Sequence, residues 1–162
     1  DTGRAIYGGG GISPEETVKP RTLSLAQARL IDPIFFFARE LVNNRVAGFE
    51  DYKIQRQADF SHNLLPGDYA VNDRVFKAFK DYVTGKSDAF KLTDAQLEHQ
   101  REFIKRQLRY DIATAAYGTV KATQVLIADD PQVLKAIETL PRAGELAAAA
   151  SRGRNPPQKS FE

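Results

Sequence analysis

The run Gly8-Gly9-Gly10-Gly11 constrains the chain more than any other stretch. Consecutive glycines accept positive φ and close backbone approach, and they give a helix or a strand no side chain to pack. Ala5-Ile6-Tyr7 before the run and Thr17-Val18 after it favour extended backbone. The segment therefore reads as two short extended pieces around a glycine turn. Consecutive glycine N–H groups could also form a nest for phosphate. A phosphate loop, however, ends in Gly-Lys-Ser/Thr and opens a helix, whereas Ile12-Ser13-Pro14 follows here. A dinucleotide fingerprint needs spaced glycines at a helix start, which adjacent glycines followed by proline do not provide. The chain opens at Asp1 without an initiator methionine, so the expectation is a piece cut from something longer.

The whole stretch Gly3-Arg4-Ala5-Ile6-Tyr7-Gly8-Gly9-Gly10-Gly11-Ile12-Ser13-Pro14-Glu15 resembles a segment of the carboxyl-terminal-processing (tail-specific) serine peptidases. In that family it reads Gly-Arg-x-x-Tyr-Gly-Gly-Gly-Gly-Ile-x-Pro-Asp. Gly3, Arg4, Tyr7, Gly8, Gly9, Gly10, Gly11, Ile12 and Pro14 match, and Glu15 stands where the family usually has Asp. Residues 130–137, Asp-Pro-Gln-Val-Leu-Lys-Ala-Ile, are similar to the closing helix of longer bacterial members. The resemblance implies that residues 1–22 are the end of a peptidase core, extended and glycine-rich. It implies a parent that hydrolyses peptide bonds near protein C-termini with a serine–lysine pair and no metal or nucleotide. It also implies an upstream PDZ domain and export to the bacterial cell envelope or periplasm. The family's serine and lysine lie upstream of the glycine motif. This chain is therefore expected to hold no catalytic residue, to need no cofactor and to be inactive alone. Its implied partners are the peptidase core of its own parent, protein substrates of that parent, and a second copy of the chain.

The 162 residues suffice for one ordinary domain with its own core but not for a multi-part protease. Hydrophobic content of 42% and charged content of 27% are those of an ordinary globular chain. Lys+Arg 23 against Asp+Glu 21 leaves +2, spread along the sequence, which argues against nucleic acid as the main partner. The absence of cysteine excludes disulfides, cysteine-ligated metal centres and thiol nucleophiles. No apolar run approaches the ~20 residues that span a bilayer. The most apolar cluster, Ile34-Phe35-Phe36-Phe37-Ala38, is closed by Arg39 and Glu40.

Beyond Pro20 the signals are helical. Ser24 caps a short stretch through Leu30, and Asp32-Pro33 opens a longer helix as an Asp cap with proline in the first turn. Ile34, Phe37, Ala38, Leu41 and Val42 keep three- and four-residue spacing until Gly48. Residues 50–70 read as irregular or weakly helical. Asn72-Asp73 caps a helix with Val75, Phe76, Phe79 and Val83 on one face and Gly85 as its stop; Lys86-Ser87-Asp88 reads as linker. Thr93 with Gln96 fits a capping box for the longest helix, through Leu97, Ile104, Leu108, Ile112 and Ala115 to Gly118. Val120, Val125 and Ile127 continue helical spacing. Asp130-Pro131 starts a further helix that runs to Pro141, and alanine-rich 143–150 is helix-prone. Residues 151–162 read as a disordered tail. The expected fold is thus an all-α, multi-helix accessory domain over 23–150, with five or six helices, preceded by the extended arm.

Candidate chemistry is sparse. Ser61, His62 and Asp59 could be drawn as a triad, but sequence neighbours do not readily point at one another, and no nucleophile elbow accompanies them. His99 lies in a charged helical stretch and reads as a solvated face. Lys86-Ser87 lacks the flanking pattern of the peptidase pair. No metal-ligand spacing occurs. Phe35, Phe36 and Phe37 stand out because three adjacent aromatics on a helix cannot share one face. One of them is expected to dock the helix onto a peptidase core or a second subunit. The functional expectation is a non-catalytic helical region of a tail-specific peptidase with a structural, docking or regulatory role. The alternative is a free-standing helical interaction module whose glycine arm adds a strand to a partner.

Overall fold

A computed structural model describes residues 16–55 and 57–154, with side chains through 152. The described residues are helical or irregular, with no β-sheet. They divide into two compact units, one spanning 22–130 and one joining 131–154 to 16–21.

The larger unit holds seven α-helices: α1 (Leu25–Ala28), α2 (Ile31–Val42), α3 (Asp73–Thr84), α4 (Ser87–Phe90), α5 (Asp94–His99), α6 (Arg101–Tyr117) and α7 (Thr119–Ile127). A 3₁₀ turn, Glu50–Tyr52, lies between α2 and α3. Local chemistry starts several of these helices. Ser24 and Gln27 form a reciprocal capping box on α1, as Thr93 and Gln96 do on α5, and the Asn72 side chain accepts from Val75 N–H at the start of α3. Each bond satisfies an amide that the helix itself cannot. Asp32 is not the cap of α2: the helix begins two residues earlier, with Leu30 at the cap, and Asp32 lies in the first turn. A carboxylate there still favours the positive end of the helix dipole.

The core is built where apolar spacing on α2, α3 and α6 coincides. Ile34, Phe37, Ala38 and Leu41 of α2 are buried, as are Val75, Phe76, Phe79 and Val83 of α3 and Ile104, Leu108 and Ile112 of α6. Phe37 meets Phe79 edge-on with ring centroids 5.6 Å apart, a geometry that adds an electrostatic gain to area burial. A second, smaller cluster joins Ala113 of α6 to Ala122 and Val125 of α7.

Three features depart from the pattern of spacing. The helix expected from Thr93 to Gly118 is broken at Gln100, whose φ −106° and ψ 18° end α5 before α6 begins. Lys86-Ser87-Asp88 is not linker throughout, since Ser87 opens the single turn α4. Ala115, Val120 and Ile127 face outward, while Ala113, Ala116, Ala122 and Val125 are buried, because α6 turns its last residues toward α7. Gly118 sits at the corner between them with φ 82°, where an added Cβ would lie 2.7 Å from Cε1 of Phe60. Backbone conformation and close approach both require glycine there.

The second unit contains α8 (Pro131–Arg154) and the described irregular segment 16–21. The Gln132 side-chain amide donates to the Val18 carbonyl at 3.0 Å, and Arg142 reaches Glu16 at 3.4 Å. The helix does not stop at Pro141 but runs through it. Proline's fixed φ is itself helical, so the loss is one amide donor and some crowding against the carbonyl of Ile137. The alanine-rich turns that follow favour continuation. α8 extends to Arg154, into the stretch whose composition suggested a disordered tail; 155–162 lie outside the described residues.

Removing the aromatic centre of the larger unit should be costly. Phe79→Ala is expected to lower the unfolding free energy by about 3–5 kcal/mol, read as a lower urea midpoint at unchanged m-value.

Candidate functional site

Sequence reasoning singled out the Phe35-Phe36-Phe37 triplet, and the helix splits it. Phe37 falls in line with Ile34 and Leu41 and is 1% exposed, so it belongs to the core. Phe35 and Phe36 project outward at 51% and 38% exposure, their rings 5.9 Å apart. The Arg39 guanidinium lies 5.6 Å from the Phe36 ring centroid. One turn of α2 therefore carries two adjacent aromatic side chains and a cation at the surface. The other singled-out residues, Gly3, Arg4, Tyr7, Gly8, Gly9, Gly10, Gly11, Ile12, Pro14 and Glu15, lie outside the described residues.

His62 lies in a polar and aromatic cluster on the segment between the 3₁₀ turn and α3. Its Nε2 is 2.6 Å from Oδ2 of Asp68, which also accepts Leu65 N–H at 2.8 Å. Those two bonds, the Leu65 amide above all, hold the Asp68 carboxyl below the usual range. The Ser61 hydroxyl donates instead to Asp59 at 2.6 Å. Serine and histidine thus engage different carboxylates, and Ser61, His62 and Asp59 are not assembled as a nucleophile, base and orienter. The His62 ring stacks on Tyr117 at 4.1 Å, Tyr117 neighbours Tyr69 at 5.8 Å, and Tyr69 neighbours Tyr52 at 6.2 Å. Burial pushes the Tyr117 phenol up to about 12.

This cluster is held from below. Arg109 of α6 donates to the carbonyls of Asp68 at 3.1 Å and Leu65 at 2.7 Å, and the Tyr52 hydroxyl donates to the Ala70 carbonyl at 2.7 Å. Between these anchors Tyr69 adopts the left-handed backbone, φ 47°, which a bulky residue tolerates only where its surroundings fix it. Asp51, Tyr52, Asp68, Tyr69 and Tyr117 line a groove of about 470 Å³ beside it. Asp68, Tyr117 and Arg109 were not foreseen as partners of this segment. The Arg109 and Tyr117 contacts join positions far apart in sequence, Asp68 meets His62 across an irregular loop, and no periodicity links a loop histidine to a tyrosine on α6.

The remaining candidates are dispersed. The Lys86 ammonium sits over the Tyr82 ring at 4.2 Å, while Ser87 opens α4. His99 is exposed in the last turn of α5. Among the described residues, no group of three or more His, Cys, Asp or Glu side chains could hold a metal ion. No family model, curated protein or solved structure matches the chain.

One titrating group is displaced toward neutrality. Burial raises the Asp111 carboxyl to about 6, partly offset by the Gln107 amide that donates to it at 3.1 Å. The folded value lies above the unfolded one. Ionised Asp111 therefore destabilises the fold, beginning above the ordinary carboxylate range and reaching full cost above about pH 6. Asp111→Asn should raise the melting temperature at pH 7.5 and leave it nearly unchanged at pH 3.5, as followed by circular dichroism.

Proposed function

We propose that the chain is the carboxy-terminal helical region of a tail-specific serine peptidase, and that it supports or docks the peptidase core without performing the hydrolysis. The observation that carries this reading is the segment Gly3–Glu15, which combines an arginine, a tyrosine, four glycines and a proline in the family's order. The parent would cleave near protein C-termini in the bacterial cell envelope, with its serine and lysine upstream of Asp1. An all-helical domain with its own buried core agrees with an accessory role. The exposed Phe35–Phe36 pair gives that role a surface, because adjacent aromatics beside an arginine are the side chains that most often anchor protein contacts.

A second reading is an independent interaction module that lends the glycine arm to a partner's sheet edge. Hydrogen exchange over residues 2–18 separates the two. Protection that arises only on adding the upstream peptidase core favours the peptidase reading, whereas protection by an unrelated partner favours the module. Phe36→Asp should weaken association with the added core by about tenfold or more, with little change in thermal stability because the ring is at the surface. Unchanged association would remove the pair from the contact. Serine-reagent-sensitive turnover of a fluorogenic peptide by the isolated chain would overturn the non-catalytic role.

A further inference from the structure

A groove of about 280 Å³ opens between the α1 end of the larger unit and α5. Its apolar lining comes from Ala26 and Leu30 on one side and Leu92 and Ala95 on the other. Arg29 and His99 line the same groove, Arg29 beside Ala26 and Leu30 at the end of α1 and His99 one turn beyond Ala95 on α5. Neither the Arg29 guanidinium nor the His99 imidazole has a hydrogen-bond or ion-pair partner among the described residues. The two other polar lining residues are Gln96 and Gln100, so the groove has amide and cationic donors and no carboxylate.

The two acids of α5 that neighbour the groove in sequence are committed to lysine and arginine. Asp94 and Glu98 bind Lys80 at 2.8 and 2.5 Å, and Glu98 also pairs with Arg101. Gln96 uses its carbonyl oxygen on the Thr93 amide, which leaves its NH₂ group as a donor. Gln100 is also the N-cap of the 17-residue α6, whose start has no side-chain cap. An unpaired arginine beside an apolar surface is complementary to a hydrocarbon body that ends in an anion.

We infer that this groove binds the anion of a medium-chain fatty acid, its alkyl chain against Ala26, Leu30, Leu92 and Ala95 and its carboxylate between Arg29 and His99. Planar guanidinium donors match a carboxylate's two oxygens. The groove's volume lies near the lower end of the ~300–1,000 Å³ usual for small-molecule sites, which favours a chain of moderate length. The inference is independent of the peptidase reading, because it rests only on residues of the helical unit.

The test is calorimetric titration of the full chain with decanoate below its micelle concentration, against decanol and acetate. Saturable one-site binding of decanoate is expected, with decanol and acetate each at least about tenfold weaker, since one loses the charged hydrogen bonds and the other the apolar contact. Arg29→Gln and His99→Gln, both at exposed positions, should retain the wild-type circular dichroism spectrum and melting temperature. Together they should weaken decanoate by about tenfold or more. Absence of saturation, equal binding of decanol, or an unaffected double variant would overturn the inference. Tighter binding of an acetylated peptide ending in leucine than of decanoate would overturn the assignment to a fatty-acid anion.

Discussion

The meeting of Phe37 and Phe79 ties the larger unit together. The two rings belong to α2 and α3, and each is buried in a core to which α6 also contributes. α2 and α3, at 12 residues each, are marginal as isolated helices in water, so their helicity depends on burying this shared face. The Tyr82 ring extends the aromatic contact at 5.3 Å from Phe37, and Leu97 brings α5 into the same core. Polar side chains then fix the orientation of elements that apolar contact alone would leave free to slide. Lys80 of α3 binds Asp94 and Glu98 of α5, Arg101 joins Glu98 to Asp73, and Lys105 binds the same Asp73 at 2.7 Å. Hydrogen bonding to Lys105 and to Lys80 holds the Asp73 and Glu98 carboxyls below their ordinary range. Their contribution is thus present above that range and is lost on acidification. The network is open to solvent, so it acts more on register than on stability.

The segment between α2 and α3 obtains its order differently. It has few buried side chains of its own and relies on α6, through Arg109, Tyr117 and the closely packed Gly118, to hold its backbone. The Tyr69 backbone and the His62–Asp68 pair are consequences of that clamp. A hydrogen-bonded histidine and aspartate resemble part of a catalytic set, yet the nearest hydroxyl donates to a different carboxylate. The arrangement is better explained as the polar packing of a long connection than as a reaction centre.

Much of the helical architecture was legible because it is local. Ser24, Asn72 and Thr93 each announce a helix within three residues of its start, and the apolar spacing of Ile34 to Leu41 and Val75 to Val83 gives the buried faces directly. The break at Gln100 has no proline or glycine to mark it. Pro141 misleads in the opposite sense, since a residue that usually ends helices is tolerated inside α8. The phenylalanine triplet was readable as a conflict of directions, but only packing decides that Phe37 turns inward. The Arg29–His99 groove was hidden altogether: it joins two short helical turns far apart in sequence, and both polar residues look like ordinary solvated side chains.

The picture is of a helical unit with its own buried core and three surface features: an aromatic pair on α2, a tyrosine-lined groove, and an apolar groove with unpaired donors. If that core is sufficient, residues 22–130 should fold without the rest of the chain. The most direct measurement is urea unfolding of that segment alone, followed by far-ultraviolet circular dichroism and tyrosine fluorescence. A single cooperative transition, coincident by both probes, is predicted. Gradual, non-coincident loss of the two signals would contradict the account, because the aromatic core would then depend on something outside the unit.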